Sequence, residues 1–191
     1  MRGTTPSLAG AAITAVLAAS TTPACHPGSA GPGSATRPSP SVAAPRDTAP
    51  LPRQVEDTAH AQVLAELEAY YRDFSARDWD AFASHFWPDA TLSAVWQPPG
   101  EDGPRVVITA LADFVDQAPS GPGSREIFEE RMLDAEVRVQ GDLAHAWATF
   151  AARFGDPGEV AEWQGIDAFT LMRHDGRWRI VALAYTDLPS D

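Results

Sequence analysis

The sequence contains no lysine, and cysteine occurs once, at Cys25. Without a lysine amine, Schiff-base and lysine-nucleophile chemistry are closed to the chain. A single thiol rules out an internal disulfide. The first 50 residues also lack aromatics and hold one acidic residue, Asp47, whereas all 6 Trp, 8 Phe and 3 Tyr lie beyond them. A folded core therefore belongs to the rest of the 191 residues. A chain of that size buries about two-thirds of its unfolded surface and needs neither metal nor disulfide for stability. Also missing are G-x-S-x-G, H-E-x-x-H, a P-loop and a Gly-rich dinucleotide fingerprint, so hydrolase, kinase and dehydrogenase readings have no support and no cofactor is implied.

From Leu51 onward 25 acidic residues face 11 Arg, a net charge of −14 against −12 for the whole chain. Phosphate backbones are repelled by such a surface, which excludes nucleic acid as a partner. His60, His85 and His174 have no His or Cys at ligand spacing, so no metal site is expected.

What is present divides the chain into three parts. Arg2 precedes an apolar run from Leu8 to Ala19. As a helix this run spans about 18 Å, too short for the roughly 30 Å hydrocarbon core but suited to a signal peptide, assigned to residues 1–24. Cys25 follows in Thr22-Pro23-Ala24-Cys25, which resembles a bacterial lipoprotein lipobox, with Thr22 where an aliphatic residue usually stands. Two outcomes are open: lipidation of Cys25, which ties the protein to the cell envelope, or ordinary cleavage after Ala24 and secretion. Residues 25–50, rich in Pro, Gly, Ser and Ala, cannot bury enough to offset their ordering entropy and read as a disordered tether. Residues 51–191 form the domain.

Within it, Val63, Leu67, Tyr70, Tyr71 and Phe74 recur at helical spacing over Gln54–Ala76. Asp78 caps a second helix carrying Trp79, Phe82 and Phe86, closed by Pro88. Ala90 to Gln97 alternates as a strand, and Thr109 can cap a third helix with Leu111, Phe114 and Val115. Four strands follow, Glu126–Gln140, Leu143–Phe154, Ala161–Arg173 and Arg177–Thr186, broken by Gly-Asp and Asp-Gly signals that predict an antiparallel meander. Parity in the third puts Trp163, Gly165, Asp167, Phe169 and Leu171 on one face. In the second, His145, Trp147, Thr149, Ala151 and Arg153 oppose Ala144, Ala146, Ala148, Phe150 and Ala152. The bulky face is expected to receive the helices, and the Ala-rich face to make a flat contact in a homodimer.

This order of elements, with the segment Ala76–Leu92 and the terminal DGRWRIVALAYTD, resembles the nuclear transport factor 2-like superfamily, which includes SnoaL-like and ketosteroid-isomerase-like proteins. The resemblance implies an α+β cone, three N-terminal helices packed on a curved antiparallel sheet around an apolar pocket. In ketosteroid-isomerase-like members a Tyr on the first helix and an Asp in the penultimate strand form an oxyanion hole. The matching positions are Tyr70 and Asp167 of Ile166-Asp167-Ala168-Phe169. The position that matches their general base is Ala94, which has no proton acceptor.

Asp167, flanked on its face by Trp163 and Phe169, is expensive to bury unless paired or protonated. Tyr70, Trp147, Asp167 and Phe169 are the expected ligand contacts, and Tyr70, Asp167 and His145 the catalytic candidates, with His145 or Glu162 in place of the missing base. The competing reading for Asp167 is structural, a bond to Tyr70 or a pairing with Arg153. The expected function is the binding of a small apolar molecule in the cone. The alternatives are an isomerase, cyclase or dehydratase, or a protein-interaction module.

Overall fold

A computed structural model describes residues 53–97 and 101–189. The signal segment, Cys25 and the tether lie outside the described residues. Helix α1 (Arg53–Ser75) buries Ala59, Val63, Leu67, Tyr70, Tyr71 and Phe74, the stripe that three- and four-residue spacing demands. It ends where Arg77 takes a positive φ of 58°. That conformation is costly for a side chain with a Cβ, and the Arg77 guanidinium offsets the cost by donating to Gly123 O at 2.9 Å and lying over the Phe128 ring at 5.1 Å.

Asp78 then caps helix α2 (Trp79–Ser84), its Oδ1 accepting from the Ala81 N–H at 3.0 Å. Pro88 does not close this helix. The chain has already turned at His85 into strand β1 (Phe86–Trp96), and Pro88 stands within that strand. Strand β2 (Arg105–Ala110) precedes helix α3 (Leu111–Gln117). Thr109 belongs to that strand; Ala110 occupies the N-cap, without a side-chain bond. The meander follows as β3 (Ile127–Gln140), β4 (Leu143–Asp156), β5 (Glu159–His174) and β6 (Arg177–Asp187). Asp175 and Gly176, both at positive φ, make the tight β5–β6 turn that the Asp-Gly pair predicts.

The six strands form one curved sheet in the order β2-β1-β6-β5-β4-β3, antiparallel except where β1 runs parallel to β6. The chain is the expected α+β cone, with the core between α1 and the inner face of the sheet. On β5 the inner face is Trp163, Gly165, Asp167, Phe169 and Leu171, as parity predicts. On β4 the assignment is reversed: Ala144, Ala146, Ala148, Phe150 and Ala152 are buried, while His145, Trp147 and Arg153 point outward. The reason is cross-strand complementarity. Directly paired residues share a face, and the register sets Ala144 opposite Leu171, Ala146 opposite Phe169, Ala148 opposite Asp167 and Ala152 opposite Trp163. Each large residue of β5 needs a small neighbour beneath the helix. These alanines are therefore covered within the subunit and offer no flat contact to a second one.

Candidate functional site

Asp167 lies in a cross-strand row that runs Val107, Ala94, Tyr185, Asp167, Ala148, Ala135 through the registers of all six strands. Only 3 % of its surface is exposed. Among the described residues one group answers its carboxylate: the Tyr71 hydroxyl donates to Asp167 Oδ2 at 2.6 Å. The tyrosine that reaches Asp167 is thus Tyr71, one residue beyond the position matched in sequence. Neighbouring helical residues diverge by about 100°, and Tyr70 turns instead into the aromatic cluster. Its ring meets Phe169 edge-on at 5.2 Å and Tyr71 edge-on at 4.9 Å. Tyr70, Tyr71, Phe169 and Asp167 are therefore brought together on the inner face.

Burial pushes the Asp167 carboxyl up to about 7, although the Tyr71 hydroxyl, which favours the ionised form, pulls the other way. The phenols of Tyr71 and Tyr185 rise for the same reason, burial first and the Asp167 charge second. At neutral pH Asp167 is poised between donor and acceptor, in an apolar site where a neutral carboxyl can serve as a hydrogen-bond donor. Ala94, 9 % exposed, occupies the same row two strands away with only Tyr185 between them, and it has nothing to take a proton.

The other candidates lie across the sheet from Asp167. Trp147 is 58 % exposed. His145 is exposed as well, its Nδ1 3.3 Å from Thr170 Oγ1. Both line an outward groove of about 530 Å³ with Glu136 and Arg138. Arg153, the alternative partner for Asp167, is held by Glu129 and Glu162, each at 2.8 Å. Glu162, a candidate for the missing base, is accordingly a strand residue with a cation already on it.

Two residues were missed in sequence. Glu130 of β3 is 5 % exposed. Its backbone is clamped by Ser75 of α1, whose Oγ donates to Glu130 O at 2.7 Å and accepts from the Glu130 N–H at 2.8 Å. Its Oε2 is buried with no hydrogen-bond partner among the described residues. Burial, then the charges of Asp167 and Asp187, hold its pKa well above the usual carboxylate range. The signal was parity, since Glu130 stands between Phe128 and Met132 on the inward phase of the strand. The second is His85. Its Nδ1 meets Glu66 Oε1 at 2.7 Å and its Nε2 meets Asp73 Oδ2 at 2.9 Å. Burial alone would lower its pKa, but the bonds to the two carboxylates outweigh it and raise it. Glu66 and Asp73 are seven residues apart, two turns along one helix face, which is the trace this arrangement leaves in the sequence.

Comparison with known proteins agrees with this architecture. The SnoaL-like domain family matches residues 53–184. Among solved structures, a function-unknown protein from Mycobacterium tuberculosis superposes with a TM-score of 0.60 at 16 % identity, covering 73 % of this chain and 77 % of that one. A proposed dehydratase of the NTF2-like family from Streptomyces avermitilis gives 0.55 at 20 % identity, covering 70 % and 99 %. A ketosteroid isomerase-like protein from Erwinia carotovora atroseptica gives 0.52 at 15 %, covering 69 % and 97 %. At such identities the likeness speaks for the fold alone. No curated protein matches the chain in sequence.

Proposed function

This chain belongs to the SnoaL-like domain family, and from that premise we propose that it binds a small, largely apolar ligand whose oxygen is held by Asp167 and Tyr71. The observation that carries the reading is the buried 2.6 Å bond between the Tyr71 hydroxyl and Asp167. With Asp167 protonated, the pair has one proton more than its own bond uses, and that proton is available to a carbonyl, phenolate or enolate-like oxygen. Tyr70 and Phe169 supply apolar aromatic surface beside it. A catalytic version of the same site, an isomerase, cyclase or dehydratase such as the names of two structural neighbours suggest, also requires a proton acceptor. Ala94 stands where that acceptor belongs, so binding without turnover is the reading the geometry supports best.

Around this domain we place export through residues 1–24, lipid attachment at Cys25 to the cell envelope, and pairing of two copies through the outward sheet face. Val95, Val106, Ile108 and Trp147 are exposed on that face. The binding test is titration of the full-length chain with a naphthol. Asp167→Asn and Tyr71→Phe each weaken binding about tenfold, the worth of one strong hydrogen bond, while Tyr70→Phe has a smaller effect. Equal affinity in all three variants contradicts the assignment.

A further inference from the structure

Tyr185 of β6 stands beside the Asp167 anchor and has no part in it so far. It shares the inward phase of its strand with Leu183 and is half-buried against the core. Its direct cross-strand partners are Asp167 on β5 and Ala94 on β1. Opposed residues on one sheet face hold their Cβ atoms about 4.5–5.5 Å apart, so the phenol rises from the same patch as the carboxyl. The two feel each other: after burial itself, the Asp167 charge is the first cause that raises the Tyr185 phenol. Yet no bond joins them. Asp167 Oδ2 takes the Tyr71 hydroxyl, and among the described residues neither Asp167 Oδ1 nor the Tyr185 hydroxyl has a hydrogen-bond partner. Access sets these two atoms apart from other unanswered polar atoms of the inner face. Glu130 Oε2 and Thr109 Oγ1 are sealed from solvent, whereas Asp167 Oδ1 and the Tyr185 hydroxyl are not among the sealed atoms. On the far side of the phenol the row continues through Ala94 and Val107, both apolar and the first no larger than a methyl group. Two open, unbonded oxygens from neighbouring strands, with low apolar surface beside them, make an edge that one ligand can answer with two polar atoms.

We propose that Tyr185 is a second ligand-binding residue, and that the ligand carries two oxygens on adjoining carbons, the first on Asp167 Oδ1 and the second on the Tyr185 hydroxyl. A phenol hydroxyl both donates and accepts, so the second oxygen can belong to a hydroxyl or to a carbonyl. The ligand class is thus an apolar molecule with a catechol or α-hydroxy ketone edge, and not a simple phenol. The inference rests on the reading of Asp167 and Tyr71 as the anchor for the first oxygen.

The test uses the full-length chain with naphthol and two dihydroxynaphthalenes, one with its hydroxyls on adjoining carbons of one ring and one with them on opposite rings. The adjoining diol should bind wild type about tenfold more tightly than naphthol, the worth of one further hydrogen bond, and the opposite-ring diol should show no such gain. Tyr185→Phe should abolish the gain and leave naphthol affinity within about threefold. Because the hydroxyl it removes has no partner in the protein, the variant should also melt no lower than wild type. A marked loss of stability, or failure to fold, means that the hydroxyl is bonded within the protein and overturns the proposal. A gain that survives Tyr185→Phe, an equal gain for both diols, or no gain for either overturns it as well and leaves the naphthol site standing. A Tyr185→Phe variant that loses naphthol and diol alike places the first oxygen on Tyr185 and overturns the two-oxygen assignment. Failure of naphthol itself to bind wild type removes the Asp167 anchor, and with it both readings.

Discussion

Phe150 occupies the space that a side chain at Gly165, its cross-strand partner, would need: a Cβ there would lie 2.2 Å from the phenyl ring and 2.7 Å from Thr186 O. The inner face of β5 therefore has a gap between Trp163 and Asp167 that is filled from the next strand. Gly165→Ala has no cheap relief, because one of the atoms it meets is backbone. Urea denaturation should show a loss of about 1–3 kcal/mol, the usual cost of overpacking a core. An unchanged midpoint would mean that Phe150 can leave this position freely.

Stability should fall as pH rises from about 4 to 7. The folded pKa of Asp167 is raised to about 7 from a carboxylate value near 3.8, so the native state holds more protons than the unfolded one across that interval. Linkage then makes stability greatest below the unfolded value and lost as pH passes through the folded one. The raised pKa of His85 acts with the same sign at its own, higher window. Thermal melts should accordingly show a steeper decline for wild type than for Asp167→Asn, which has no carboxyl to ionise. A decline of equal slope in that variant would transfer the effect to other groups.

His85→Gln separates the second contribution. A glutamine cannot carry the positive charge that Glu66 and Asp73 face, and hydrogen bonds between charged groups are worth about 1.5–3 kcal/mol each when partly buried. The variant should lose stability at pH 6 and lose less at pH 9. The opposite order would show that the histidine is neutral in the folded protein.

Pairing through the outward sheet face should be sensitive to Trp147, which is 58 % exposed and lies in register with Ala168 on the neighbouring strand. Sedimentation of wild type should show a dimer at micromolar concentration, and Trp147→Arg a monomer of unchanged secondary structure. A wild-type monomer under those conditions disposes of the interface.

Cys25→Ser should release the protein from membrane fractions if a lipid anchors it. A wild-type protein that is already free of the membrane leaves secretion as the only part of the export reading that stands.

Much of the fold was legible because it rests on local patterns. The α1 stripe from Val63 to Phe74, the Asp78 cap and the Asp175-Gly176 turn each follow from short-range physics and stand where expected. Strand β2 was missed because six residues with two outward apolar side chains, Val106 and Ile108, give no buried periodicity against turn-rich neighbours. The face of β4 was reversed because bulk was taken as the mark of the core. Burial depends on the partner strand, and alanines opposite Phe169, Asp167 and Trp163 are what the helix above them requires. Asp167 was legible from its flanking aromatics. Its partner was not, since choosing Tyr71 over Tyr70 depends on the rotation of a helix against a sheet, which spacing along one chain does not fix. Glu130 needed only its parity to be noticed, but its lack of a partner is a tertiary fact.

The central claim is that Asp167 is a buried, protonatable donor paired with Tyr71, and NMR titration of its side-chain carboxyl measures this directly. With the carboxyl resonance assigned by comparison with Asp167→Asn, the midpoint should lie near 7 and move further upward in Tyr71→Phe, which removes the hydroxyl that favours the ionised form. A midpoint near the unperturbed value of about 3.9 would show an ionised carboxylate with a compensating partner, and the ligand-oxygen site would have to be abandoned.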